Sequence, residues 1–225
     1  MVARADAERG EVVVRRRTSP DSPDSQDEDV LELRVNGVFV MDTAETGTER
    51  RLARATLDQL DHPRRILVGG LGLGFTLAEL LADPRVEHVL VAEIEPAVVE
   101  WMRAGVLPGA EHLADPRVQV VVADIRDLPD ELADGAYDVV LLDVDNGPDF
   151  LVHERNAAVY EPGFLARCKR LLAPDGALAV WSSTGSSALE AAMRKVFGRC
   201  HVVPVAVDLQ GRDERYWLFT SRMVP

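Results

Sequence analysis

An α/β fold with a doubly wound, seven-stranded, mostly parallel sheet and a small N-terminal β appendage is the class this sequence predicts, on three observations. The first is Arg65 to Leu81, RILVGGLGLGFTLAELL, where an apolar run feeds into glycines at 69, 70, 72 and 74 and leucines 77, 80 and 81 then recur at helical spacing. The second is that apolar strand-like runs and helical patterns alternate from residue 65 onward, the signature of parallel strands connected by helices. The third is that residues 30–41, VLELRVNGVFVM, alternate around Asn36-Gly37, the signature of a hairpin with a type I′ turn.

Taken in order, residues 11–17 (EVVVRRR) read as a short strand. Residues 18–29 (TSPDSPDSQDED) hold no aliphatic or aromatic side chain to offset the cost of ordering, and are expected to be a mobile acidic loop. With the hairpin, residues 1–47 form the β appendage, and residues 48–225 the main domain. Leu52, Ala53, Ala55, Leu57 and Leu60 give a helix over 48–60, which His62-Pro63 ends. Strands follow at 65–69, 88–93, 118–122, 138–142, 177–182, 201–207 and 215–221, and helices at 74–82, 96–104, about 155–172 and 185–197. The phrase Leu-Ala-Asp-Pro-Arg-Val occurs at 81–86 and 113–118, one helix-exit turn used twice.

The glycines matter because a strand-to-helix reversal uses positive φ, and because a ligand approaches backbone only where no Cβ intervenes. The helix that follows points unpaired N–H groups over the turn. Glu93 ends the next strand nineteen residues after Gly74, the spacing at which a carboxylate accepts two ribose hydroxyls. Gly70, Gly72, Gly74, Glu93 and Ile94 are thus candidate nucleoside-binding residues; a tight turn without a ligand is the plainer alternative. In an open α/β sheet the ligand lies beyond the carboxyl ends of the strands. Asp124, with Ile125, follows the third strand and suits the amine of an adenine, unless it only caps a turn. Asp143 follows the buried run Val139 to Leu142 and is the candidate general base or cation ligand, unless it only forms a turn. Asp145 lies in the same strand-end segment, Asp143 to Pro148, and His153 and Tyr160 follow on a segment able to fold over the site, where packing is as good an account as chemistry. No metal-ligand spacing, Walker lysine or nucleophile elbow is present.

A formal charge of −13 argues against a nucleic-acid backbone as partner and favours a cationic or neutral small molecule. Cys168 and Cys200 have no disulfide or zinc spacing. No apolar stretch reaches the roughly 18 residues of a membrane span, so a cytoplasmic protein is expected.

These segments, in this order, resemble the spermidine synthase (polyamine aminopropyltransferase) family, within the Rossmann-like class I S-adenosylmethionine-dependent methyltransferase folds. RRILVGGLGLGFTLAELL is similar to that family's strand, glycine turn and helix, VAEIEPAVVEW to its acidic strand end, DPRVQVVVADIRDL to its third strand, and YDVVLLDVDNGP to its catalytic segment. The resemblance implies Glu93 on the ribose, Asp124 at the adenine, Asp143 as the acid that receives the amine, Tyr160 as a catalytic tyrosine, and a homodimer. It also implies S-adenosylmethionine or its decarboxylated form as cofactor. The departures are as informative. The family's amine-binding Asp in the glycine turn falls on Leu73, its N-terminal Gln on Val40, its Tyr-His pair on Thr48-Glu49, and the Gln after the fifth strand on Trp181, which joins Asp145 and His153 in the substrate pocket. Asp42, Glu45 or Glu49 are the acids able to replace the one missing at 73. Aminopropyl transfer to an amine is therefore the first expectation, methyl transfer to a small molecule the second, and a non-catalytic nucleoside-binding protein the third.

Overall fold

A computed structural model of the chain describes residues 1–18, 29–208 and 212–223. Two sheets are present. The smaller is antiparallel, with β1 (Ala3–Ala7), β2 (Gly10–Thr18), β3 (Asp29–Val35) and β4 (Val38–Asp42) in sequential order. Asn36 and Gly37 join β3 to β4 with φ of 52° and 77°, as a type I′ turn requires. The hairpin expected from sequence is therefore half of a four-stranded sheet. Its edge strand, ARADA, was not anticipated because alanine and charged residues alternate in it without one β-branched or aromatic side chain to mark a buried face. Residues 19–28, most of the acidic segment expected to be mobile, lie outside the described residues.

The larger sheet holds β5 (Arg65–Gly69), β6 (His88–Glu93), β7 (Val118–Val122), β8 (Tyr137–Leu142), β9 (Leu172–Ser182), β10 (His201–Asp208) and β11 (Asp213–Arg222). Their spatial order is β10-β11-β9-β8-β5-β6-β7, parallel from β9 to β7 and antiparallel where β11 joins β9 and β10. Connections leave β5 toward β6 on one side while β8 occupies the other, so the order reverses at the β5/β8 boundary, where an open sheet of this kind forms its crevice.

The helices are α1 (Gly47–Leu57), α2 (Phe75–Ala82), α3 (Pro96–Arg103), α4 (Ala110–Leu113), α5 (Pro162–Leu171) and α6 (Ser187–Phe197). The single helix expected over about 155–172 is instead a 3-10 turn, Glu154–Tyr160, and then α5. Pro162 takes the first helical position of α5, where its missing N–H costs nothing, and holds Glu161 extended at ψ 151°. Successive strand residues feed opposite cores. Ile66, Val68, Val139 and Leu141 pack with α1, α2, α3 and residues Val12, Val14 and Leu33 of the small sheet. Leu67, Val140 and Leu142 pack with α5 and α6 on the other face. No helix among the described residues is long and apolar enough to cross a membrane.

Candidate active site

The turn from β5 to α2 is held open by geometry only glycine supplies. Gly70, Gly72 and Gly74 have φ of 95°, 52° and 85°. A Cβ on Gly70 would stand 1.9 Å from the Asp143 carbonyl oxygen, so the turn and the end of β8 are in backbone contact. The Gly70 N–H donates to Ala92 O and the Asp143 N–H to Gly69 O, both at 2.8 Å, which ties the ends of β5, β6 and β8 into one ledge.

A cavity of about 140 Å3 opens over this ledge. Of the residues singled out from the sequence, Gly70, Gly72, Glu93, Ile94, Asp124, Ile125, Asp143, Asp145, His153 and Trp181 line it. Two do not. Gly74 is the left-handed N-cap of α2 and faces Met102. Tyr160 is buried in the α5-side core, its hydroxyl without a hydrogen-bond partner among the described residues. Burial, with the Asp145 and Asp143 carboxylates beside it, raises the Tyr160 pKa further.

Glu93 is 7 % exposed. One carboxylate oxygen accepts the Leu71 N–H and the other the Glu95 N–H, both at 2.8 Å. Burial raises its pKa, and these backbone donors work against the rise. Each oxygen retains acceptor capacity toward the cavity. Asp124 differs from expectation in its surroundings. Arg9, in the turn between β1 and β2, donates to its Oδ2 at 2.6 Å, and Arg126 grips both oxygens from two residues on. Burial alone would raise the Asp124 pKa, but the Arg126 and Arg9 guanidiniums hold it at about 2. Arg126 repeats the Asp-x-Arg clamp of Asp83 with Arg85 and Asp115 with Arg117. Arg9 carried no signal in the sequence, because it depends on a turn that folds back from the small sheet: the Asn36 side chain donates to Arg9 O at 2.9 Å and accepts the Glu11 N–H at 3.0 Å.

Asp145 is used internally. Its carboxylate accepts the N–H groups of Asn146 and Val152 and the side-chain amide of Asn156, which shapes the loop after β8. His153 Nδ1 accepts the Arg155 N–H and so caps the 3-10 turn while its ring lines the cavity. Asn146 donates to Phe39 O at 3.0 Å and fastens this loop to β4.

The acidic centre is Asp143 with Glu49. Thr76, in the first turn of α2, donates to Asp143 Oδ2 at 2.9 Å and lies 3.4 Å from Glu49 O on α1. Burial pushes the Asp143 pKa up to about 6, the Thr76 hydroxyl opposing it and the Glu93 charge adding to it. Glu49 is 6 % exposed, and burial together with the Asp143 charge pushes its pKa up to about 8. Leu73, by contrast, is 1 % exposed and turned into the core, with its N–H toward Met41 Sδ. Trp181 closes the cavity at the far side, 4.9 Å edge-to-face from Tyr216, with its Nε1 unpartnered among the described residues. A smaller recess bounded by Phe39, Asp42, Glu45 and Tyr216 shares Glu49 and Trp181 with the main cavity. Among the described residues no group of His, Cys, Asp and Glu has metal-binding geometry.

A family model of the spermine/spermidine synthase domain matches residues 45–199. The chain belongs to that family. Curated relatives include putrescine N-methyltransferase 3 of Nicotiana tabacum, 33 % identical over 87 residues, which are 39 % of this chain and 23 % of the relative. Another is the polyamine aminopropyltransferase of Mycobacterium tuberculosis, 35 % identical over 123 residues, 53 % of this chain and 23 % of the relative. These matches thus span less than a quarter of either relative's length. Among solved structures, a spermidine synthase crystallised with the transition-state analogue AdoDATO superposes with a TM-score of 0.82 at 17 % identity, over 99 % of this chain and 73 % of that one. The Thermotoga maritima spermidine synthase gives 0.81 at 16 % identity, over 99 % and 72 %. A human methyltransferase-like protein bound to SAH shares the fold more distantly, with a TM-score of 0.55 at 24 % identity over 80 % of each chain.

Proposed function

We propose that this protein transfers an alkyl group from an S-adenosyl sulfonium compound to the amine of a small-molecule acceptor, in the first instance an aminopropyl group from decarboxylated S-adenosylmethionine. The observation that carries the reading is that the glycine turn, Glu93 and Asp143 line one cavity at the reversal of strand order, in a chain of the spermine/spermidine synthase family. The residues fit such a group. Gly70 and Gly72 leave the ledge without side chains, Glu93 keeps acceptor capacity for ribose hydroxyls, and Ile94, Val98 and Ile125 supply apolar wall for a base. When bound, the sulfonium supplies an electrophilic carbon.

The chain's own residues then do three things. The ledge and Glu93 hold the nucleoside, with Arg9 and Arg126 keeping Asp124 ionised beside it. The Asp143 carboxylate, held by Thr76, favours positive charge near the reacting centre and orients the incoming amine. The small sheet roofs the cavity through Met41 and Arg9, and limits water around the charged groups. In this reading residues 1–47 are the roof and 48–225 the nucleoside-binding domain.

Methyl transfer is the second reading, and Leu73 favours it. With a buried leucine where the family places an amine-binding Asp, the decarboxylated donor loses its distinguishing contact, while the carboxylate of S-adenosylmethionine keeps the N-terminal end of α2 as its partner. Incubation with an amine and each donor, followed by product analysis, separates them: methylthioadenosine marks aminopropyl transfer and S-adenosylhomocysteine methyl transfer. Adenosyl binding without turnover, unchanged by Asp143→Asn, would leave only a binding protein.

A further inference from the structure

Glu49 has no place in the reaction as described above, yet its setting is unusual. Its carboxylate lies in the first turn of α1, 6 % exposed, and lines both the main cavity and the smaller recess. The one side-chain hydrogen bond it receives among the described residues is from the Thr48 hydroxyl at 2.9 Å, and no Lys, Arg or His there forms an ion pair with it. Neighbouring acids are treated otherwise: Glu93 and Asp145 each accept two backbone N–H groups. Asp42 is paired with Arg17 at 2.6 Å and Asp124 with two arginines. A buried carboxylate without a cation is costly, and so is one set beside a second carboxylate.

The groups facing Glu49 come from every element around it: Asp143 beyond β8, with Glu93 behind it, Glu45 ahead of α1, Thr76 of α2 and Tyr216 of β11. None is a cation. The same cavity is also bounded by an indole whose buried Nε1 is unpartnered among the described residues, a second sign that the polar groups here are completed by something other than the protein.

Resting on the alkyl-transfer reading, we infer that Glu49 is the group that receives the acceptor's ammonium and takes its proton, with Asp143 as the neighbouring charge that draws the cation in. The balance is simple. Binding R–NH3+ favours ionised Glu49 and expels the proton it held; the N–H bond then breaks toward the Glu49 carboxylate, which becomes the acid, and the electron pair stays on nitrogen as the nucleophilic lone pair. The neutral Glu49 side chain is the form in which the cycle began, so the one proton expelled at binding is the net proton yield when product leaves. Burial has already brought its proton affinity into the range where exchange in both directions is feasible near neutrality.

The test is calorimetry of amine binding to the full chain saturated with methylthioadenosine, near pH 7, in buffers of different ionisation enthalpy, with butylamine, 1,4-diaminobutane and phenethylamine as probes and butanol as uncharged control. At least one amine is expected to bind and release protons, up to about one per site. Glu49→Gln is expected to bind it tenfold or more weakly with proton release abolished, and Glu49→Asp to restore part of both. A thermal melt confirms folding, and Glu49→Gln keeps the shape of the protonated carboxyl. Unchanged affinity and proton release in Glu49→Gln would overturn the inference, as would uptake of the nucleoside with no uptake of any amine. Failure to bind methylthioadenosine would instead bring down the alkyl-transfer reading on which it stands.

Discussion

Replacing Gly70 by alanine tests the ledge on which the whole candidate site rests. The added Cβ would stand 1.9 Å from the Asp143 carbonyl oxygen, more than an ångström inside ordinary contact, and the obstacle is backbone, which has no rotamer to escape into. Three costs follow. The residue must hold a φ of 95°, which for an L side chain costs about 1–2 kcal/mol. Moving Gly70 away from the end of β8 also weakens two hydrogen bonds, Gly70 N–H to Ala92 O of β6 and Asp143 N–H to Gly69 O of β5, at about 1 kcal/mol each. The expected loss is about 3–4 kcal/mol, a large share of the 5–15 kcal/mol typical of a domain. Gly72→Ala is the control. Its Cβ would meet Met41 Sδ at 2.6 Å, the far end of a flexible side chain, and its φ of 52° is the ordinary left-handed value, so about 1 kcal/mol is expected. Urea unfolding of both variants measures the difference. If Gly70→Ala costs no more than Gly72→Ala, the contact between the turn and the end of β8 is not as described.

Three further outcomes are expected. Glu93→Ala should weaken binding of the adenosyl compound by about 1.5–3 kcal/mol, the range for hydrogen bonds to a charged group, and should also lower the melting temperature because the Leu71 and Glu95 N–H groups lose their acceptor. Stability should fall as pH rises from 4.5 through about 8, since the folded state keeps Glu49 protonated where the unfolded chain ionises it. Asp143 adds to the fall between 3.8 and about 6. Glu49→Gln should flatten that profile by an amount on the order of 3 kcal/mol, and denaturant titrations at pH 5 and pH 9 that give the same difference for both proteins would contradict the assignment. Finally, S-adenosylmethionine should bind at least as well as its decarboxylated form, because Leu73 offers the free ammonium nothing. A tenfold preference for the decarboxylated compound, about 1.4 kcal/mol, would show that another acid replaces the one lost at 73.

Much of the fold was legible because parallel strands buried on both faces must be continuous apolar runs, and Ile66 to Val68 and Val139 to Leu142 are such runs. The glycine turn was legible because its φ values exclude other residues. What escaped depends on partners distant in the chain. The strand Ala3–Ala7 has no hydrophobic pattern of its own and exists by pairing with β2. Arg9 reaches Asp124 across 115 positions, so no local rule finds it. Leu172, expected to end a helix, instead opens β9, because it pairs with Tyr137 before the register shifts. Glu49 was visible only as one of three acids able to replace a missing one, and α1 sets which of them enters the cavity. Asp124 read as a free acceptor because Arg126 two residues on looks like surface charge until the Asp-x-Arg clamp is seen three times.

The alternation of β8 between two cores reaches beyond packing, because Asp143 continues the strand by its hydrogen bond to Gly69. It shares the parity of Val139 and Leu141, whose side chains enter the core made by α1 and α2. That parity is what delivers its carboxylate to Thr76 and the vicinity of Glu49 instead of to the α5 side. The direction in which the acid points is thus a counting property of the strand. Inserting a single residue between Leu142 and Asp143 would leave the sheet's pairing from Ile66 to Gly69 intact and yet send the carboxylate to the opposite wall. In a scaffold of this kind, chemistry at a strand end can be switched off by arithmetic alone, without altering any side chain that takes part in it.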